Sequence, residues 1–128
     1  MNILLDTHTF MWWDSRSTKL SAEARSVIEN EHNVVYLSVV SIWEIQLKRQ
    51  LGKLSIDGNL EEIVNRHLRE NDFQLLPVHL PHVLELDKLP LHHKDPFDRL
   101  LIAQSLVESL DLVSKDSQFS LYPLNVIW

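Results

Sequence analysis

His92-His93-Lys94-Asp95-Pro96-Phe97-Asp98-Arg99-Leu100-Leu101-Ile102-Ala103-Gln104 joins a polar, charged approach to a strongly apolar helix. Asp95 stands where an N-cap belongs, Pro96 where the first helical residue belongs, and Asp98 at the third helical position. Two carboxylates therefore crowd one helix N-terminus, on a helix too apolar for the surface. Either the helix is thoroughly capped, or Asp98 is a ligand held at the mouth of a crevice. The other acids have to decide.

Outward from that stretch the chain alternates strands and helices. Asn2-Ile3-Leu4-Leu5 reads as a buried strand that stops at Asp6-Thr7-His8. Phe10-Met11-Trp12-Trp13 reads as an irregular or short helical turn. From Ser21, a cap, the helical spacing of Ala24, Val27 and Ile28 holds as far as Glu31. Val34-Val35-Tyr36-Leu37 is a second strand, and Ser38 to Gln50 a helix with Trp43, Leu47 and Leu51 on one stripe. Asp57-Gly58 turns into an amphipathic helix carrying Leu60, Ile63, Val64 and Leu68 and ending near Asn71. Gln74-Leu75-Leu76 with Val78 is a third strand, shortened by Pro77. A short helix around Val83 to Leu86 leads to the quoted stretch, whose helix should reach Leu110. Asp111 to Ser114 and Asn125 to Trp128 supply strands four and five. Apolar strands alternating with helices predict a three-layer α/β/α sandwich on a mainly parallel five-stranded sheet.

The 128 residues suit one domain, residues 1–128, with the 45% hydrophobic and 23% charged balance of an ordinary soluble globule. No cysteine is present, so disulfides and thiolate metal sites are excluded. Met1-Asn2-Ile3-Leu4-Leu5-Asp6 has no basic leader and meets a carboxylate too early for a signal peptide, so the expected location is the cytoplasm, without a membrane. Only two glycines occur. There is no Gly-rich phosphate loop or dinucleotide fingerprint, and no Gly-x-Ser-x-Gly elbow for covalent hydrolysis.

In open parallel sheets ligands bind beyond the carboxyl ends of the strands. Asp6 directly follows the first strand, Glu44 lies in the first turns after the second, and Asp116 follows the fourth in Ser114-Lys115-Asp116. Asp98 reaches the same edge if its helix begins there. Each acid also has an ordinary role: Asp6 as an Asx turn, Glu44 in a capping box from Ser41 or an i,i+4 pair with Lys48, Asp98 as a complement to the helix dipole, Asp116 as a cap for Ser117 to Leu121. Asp95 reads as a cap rather than a ligand. Together, however, the four repel: unit charges roughly 4 Å apart interact by about 4 kcal/mol at an effective dielectric of 20. Protons or cations must compensate. Oxygen donors without cysteine suit a hard divalent ion, Mg²⁺ or Mn²⁺. The seven histidines form no zinc pattern; His92-His93 reads as a polar loop and His67 as a packed residue at a surface edge.

Twelve basic against eighteen acidic residues give a net charge of -6, which argues against a polyanionic partner until the site acids are set aside. Fourteen acids then face twelve bases, so a polyanionic substrate is not excluded by net charge, though no strong basic patch invites one. Lys48, Arg49 and Lys53 form the best basic cluster, which also suits a solvated helix end.

The segments Leu4 to His8, Ser38 to Ile45, His93 to Gln104 and Ser114 to Asp116 occur in the order and spacing of PIN-domain proteins, and the chain closely resembles the VapC-like toxin ribonucleases of type II toxin–antitoxin pairs. The resemblance spans Leu4 to Tyr122, and Asp-Pro-Phe-Asp-Arg-x-Leu-Ile-Ala-Gln is its most specific part. Ser114 stands where the family often has threonine. The resemblance implies a Mg²⁺- or Mn²⁺-dependent endoribonuclease acting on RNA, with Asp6, Glu44, Asp98 and Asp116 as the acidic quartet that is both catalytic and metal-binding. It also implies a homodimer and a cognate antitoxin. Two other readings compete: a PIN-like module that docks partners without catalysis, and a receiver-like phospho-acceptor. The second lacks the paired acids that such a domain needs after its first strand.

Overall fold

The computed structural model describes residues Met1–Trp128. Five strands, β1 (Asn2–Leu5), β2 (Val34–Ser38), β3 (Gln74–Leu76), β4 (Asp111–Val113) and β5 (Val126–Ile127), form one sheet in the order β3-β2-β1-β4-β5, every pairing parallel. The helices are α1 (Thr7–Asp14), α2 (Ala22–Glu29), α3 (Val39–Gln50), α4 (Leu60–Glu70), α5 (Leu80–Glu85) and α6 (Pro96–Glu108), with 3-10 turns at Leu86–Lys88 and Ser117–Leu121. The predicted α/β sandwich is present, and its five strands fall where the apolar runs put them.

Period-two alternation assigns the two faces. Ile3, Leu5, Val35, Leu37 and Val113 pack against residues of α1, α2 and α4, including Phe10, Ala24, Ile28 and Ile63. Leu4 and Leu112 point the other way, onto Phe97, Leu101 and Ile102 of α6 and onto Phe119. With apolar layers on both sides, the strands are apolar along their middles, and polar residues fall at their ends: Asn2, Gln74 and Asp111 where strands begin, Asp6, Ser38 and Ser114 at the carboxyl edge. Leu5 pairs with Leu37 on one side and Val113 on the other, so Asp6, Ser38 and Ser114 lie together just past the end of β1, Ser38 still paired with Leu76 of β3. The chain leaves β1 toward β2 on one flank and returns to β4 on the other; the crevice between those paths is the topological switch point.

Three local expectations change. Phe10 to Trp13 lie within a two-turn helix, α1, whose N-cap is Asp6. The cap of α3 is Ser38, not Ser41: the last strand residue accepts from Val40 N at 3.0 Å, so helix follows strand without a loop. The buried face of α3 is Val40, Ser41, Glu44 and Ile45, whereas Trp43 and Leu51 are 55% and 59% exposed. Trp43 instead covers Phe97 edge-on, at 4.7 Å between ring centroids. His67 is buried between Phe10 and Phe73 and bonded to Asp14 and Asn71, a tie between α1 and α4. No helix is long and apolar enough to cross a membrane.

Candidate metal centre

Asp6, Glu44, Asp98 and Asp116 line one cleft of about 420 Å³ at the carboxyl edge, with Asp95, Lys48 and Lys115 on its walls. Four separate segments deliver the four acids, and each is held differently.

Asp6, 8% exposed, caps α1 through Oδ1, which accepts from Thr9 N at 2.9 Å. Its Oδ2 accepts from Ser114 Oγ at 2.6 Å. Burial raises its pKa above the ordinary carboxylate value, outweighing the lowering by those hydrogen bonds. Ser114 Oγ also accepts from Asp116 N at 3.0 Å, so one hydroxyl couples the acid after β1 to the acid after β4. That contact needs only an oxygen on the β-carbon, which serine supplies.

Glu44, 4% exposed, is the most enclosed of the four. The Thr7 hydroxyl donates to its Oε1 at 2.5 Å, with Ser41 Oγ 3.0 Å from that hydroxyl, and Lys48 pairs with Oε2. The i,i+4 pairing with Lys48 is therefore real. Burial works against the Lys48 charge, but hydrogen bonding and attraction to Glu44 prevail and its pKa is raised.

Asp95 caps α6, its Oδ1 accepting from Phe97 N at 2.8 Å and Asp98 N at 3.3 Å. A crossover helix runs antiparallel to the strands, so the start of α6 lies at their carboxyl ends and Asp98 with it. The Asp98 carboxylate accepts no hydrogen bond from the protein. Burial first, then the Asp95 and Glu44 charges, push its pKa up to about 7; His93 pulls the other way, and Asp6 adds to the rise.

Asp116 is the most open acid, its Oδ1 accepting from Gln118 N at 3.0 Å as the cap of the 3-10 turn. Its Oδ2 lies 3.1 Å from His93 Nε2. His93 belongs to the loop where a polar pair was expected, yet it is 6% exposed. Ligand atoms of His93, Asp98 and Asp116 all fall within 4.8 Å of one another. Nothing near His93 in sequence signals this, because the rings that bury it, Phe119 and Tyr122, lie far downstream.

Five carboxylates thus face two lysines. The unpartnered Asp98, the raised pKa values and the hard oxygen donors fit a divalent cation of the Mg²⁺ or Mn²⁺ kind. One expected outcome concerns stability. For Asp98 the folded pKa lies above the unfolded value near 3.8, so between about pH 4 and 7 the folded chain holds a proton that the unfolded chain has lost. The metal-free protein therefore loses stability as pH rises through that window, by about 1–2 kcal/mol from Asp98 after allowance for solvent screening. Thermal melts in EDTA from pH 5 to 8 check this in wild type and Asp98→Asn. A slope equal in both proteins refutes it.

A family model described as PIN domain matches residues 3–123. Among solved structures the chain is similar to VapBC2 from Rickettsia felis bound to a DNA fragment from their promoter, with 14% identity and a TM-score of 0.70 over 98% of this chain and 97% of that one. It is similar to FitAcB from Neisseria gonorrhoeae, with 18% identity and a TM-score of 0.64 over 98% and 96%. A toxin–antitoxin complex from Klebsiella pneumoniae gives 17% and 0.62 over 98% and 96%. At such identities the likeness is one of fold. No curated protein matches the chain significantly.

Proposed function

The chain belongs to the PIN domain family, and on that premise we propose that residues 1–128 are a single PIN domain acting as a divalent-metal-dependent endoribonuclease, the toxin of a toxin–antitoxin pair. The observation that carries this reading is the convergence of Asp6, Glu44, Asp98 and Asp116 in one cleft, with more negative charge than Lys48 and Lys115 offset. Stability alone does not select such an arrangement.

Asp98, whose carboxylate is free of protein partners, and Asp6, whose two oxygens each keep a lone pair, are the principal ligands for Mg²⁺ or Mn²⁺. Glu44 and Asp116 complete the site directly or through water. Bound there, the ion supplies Lewis-acid chemistry, activating water and offsetting charge at the scissile phosphate. The remaining work falls to the chain itself. Thr7 and Lys48 hold Glu44 in one orientation, and Ser114 holds Asp6 and Asp116 in register. Lys115 lies over the Trp12 ring, 6.0 Å from its centroid, at the cleft wall where a phosphodiester backbone would pass. Attack by water in line with the leaving 3′-oxygen yields a 3′-hydroxyl and a 5′-phosphate and needs no 2′-hydroxyl nucleophile.

Solved structures of similar fold include a toxin–antitoxin complex, which supports a cognate antitoxin as partner. A homodimer in the cytoplasm completes the proposal. Purified, antitoxin-free protein should cut total cellular RNA with Mg²⁺ or Mn²⁺ and stop in EDTA. Cleavage that persists in EDTA, or none with either ion, overturns the reading.

A further inference from the structure

His93 lies outside the acidic quartet, and its surroundings are built. Its ring stacks on Phe119 at 4.7 Å and 14°. Nδ1 lies 3.2 Å from the Tyr122 hydroxyl, which also accepts from His93 N at 3.0 Å and stands 3.4 Å from Pro90 O. With a single ring proton, two arrangements are open. In one, Tyr122 donates to Nδ1, and Nε2–H donates to Asp116 Oδ2. In the other, Tyr122 turns its proton to the Pro90 carbonyl and accepts from Nδ1–H, leaving the Nε2 lone pair facing a carboxylate 3.1 Å away. That second state is tolerable only with a cation between the two atoms. The separation suits one, since neighbouring ligands about 2.1 Å from an octahedral ion lie about 3.0 Å apart. A histidine whose second ring nitrogen is pinned by a neighbouring group is the usual arrangement of a metal ligand.

We propose that His93 Nε2 is a nitrogen ligand, alongside Asp98 and Asp116, for the divalent ion of the cleft, and that the Tyr122 hydroxyl holds the ring in the ligating tautomer. The proposal rests on the metal-dependent reading above and deepens it. In the second arrangement the ion takes the place of the proton that otherwise sits between Nε2 and Asp116. A consequence is metal choice. Carboxylates alone serve Mg²⁺ and Mn²⁺ alike, whereas an imidazole nitrogen is a poor ligand for Mg²⁺ and a better one for a transition ion. The cleft therefore favours Mn²⁺.

The test is pulsed electron paramagnetic resonance of the Mn²⁺-loaded protein carrying ¹⁵N-labelled histidine, with calorimetric titration of Mn²⁺ and Mg²⁺. Wild type should show the coupling of a directly bound imidazole nitrogen. His93→Gln should still bind Mn²⁺ but lose the coupling, with Mn²⁺ affinity down roughly tenfold or more and Mg²⁺ affinity down less than about threefold. Tyr122→Phe should keep the coupling and bind Mn²⁺ more weakly. His8, the histidine that lines the cleft itself, should be silent, so His8→Gln leaves the spectrum unchanged. Bound Mn²⁺ without nitrogen coupling in wild type overturns the proposal whatever the variants do, as does coupling that survives in His93→Gln. Failure of wild type to bind either ion is a different result and removes the metal-dependent function as well.

Discussion

Asp98→Asn should abolish most RNA cleavage and, at the same time, make the metal-free protein more stable. The substitution keeps the shape of the side chain and its place in the first turn of α6, and removes one charge. Losing a principal ligand forfeits several kcal/mol of transition-state stabilisation, roughly a hundred- to ten-thousandfold in rate. The stability change has the opposite sign. At pH 8 wild-type Asp98 is ionised beside Asp95 and Glu44, with no hydrogen bond of its own to compensate. Asparagine relieves that repulsion and gives up a helix-dipole contribution of only about 0.3–1 kcal/mol. The melting temperature in EDTA at pH 8 should rise by about 3–5 °C. At pH 5 wild-type Asp98 is protonated, and the two proteins should melt together. Saturating Mn²⁺ reverses the order at pH 8, because only wild type gains the full binding energy. An inactive variant that is also less stable in EDTA would mean that Asp98 matters for folding rather than as a ligand.

The strands and the positions of Asp6 and Asp116 were legible for one reason. A parallel strand covered on both faces is apolar along its middle, so the first acid after it marks the carboxyl edge, and Asp6 and Asp116 follow from β1 and β4. What escaped the sequence was polar and buried. Ser41 and Glu44 face inward on α3, where Thr7 and Lys48 receive them, so of the stripe of Trp43, Leu47 and Leu51 only Leu47 packs against the core, while Trp43 and Leu51 are exposed. The run Phe10-Met11-Trp12-Trp13 is apolar on every side and carries no period, which hid α1; its cap, Asp6, was legible as the end of a strand instead. His93 looked like half of a polar pair because Phe119 and Tyr122 reach it only in three dimensions. For Glu44 and His93, partners distant in sequence decided the outcome, Thr7 for the one and Phe119 with Tyr122 for the other.

Gln104 closes the Asp-Pro-Phe-Asp segment two turns beyond the cleft, and Gln104→Leu should cost about 2–4 kcal/mol of unfolding free energy. The side chain is 0% exposed. Its Oε1 accepts from Ser38 Oγ at 2.5 Å, and its Nε2 donates to Pro77 O at 3.1 Å. One amide thereby fastens α6 to the ends of β2 and β3. Leucine fills a similar volume but leaves the Ser38 hydroxyl proton without an acceptor, its oxygen still accepting from Val40 N, and the Pro77 carbonyl without the Gln104 donor, each loss costing about 1–3 kcal/mol. Denaturant titration measures the total, and Ser38→Ala in the Gln104→Leu background should cost less than in wild type, since the hydroxyl has already lost its acceptor and keeps only the bond from Val40 N. The cleft should feel the change too. Asp98 precedes Gln104 by six residues, about 9 Å along the helix, and the Asp95 cap sets where α6 starts but not where it sits against the sheet. A loosened α6 lets the carboxylate drift from Asp6, and drift of about 1 Å can cost a hundredfold in rate. Gln104→Leu should therefore bind Mn²⁺ more weakly and cleave RNA more slowly even at temperatures where it is fully folded. Wild-type metal affinity in a destabilised variant would instead place the anchoring of Asp98 in the apolar packing of Phe97, Leu101 and Ile102.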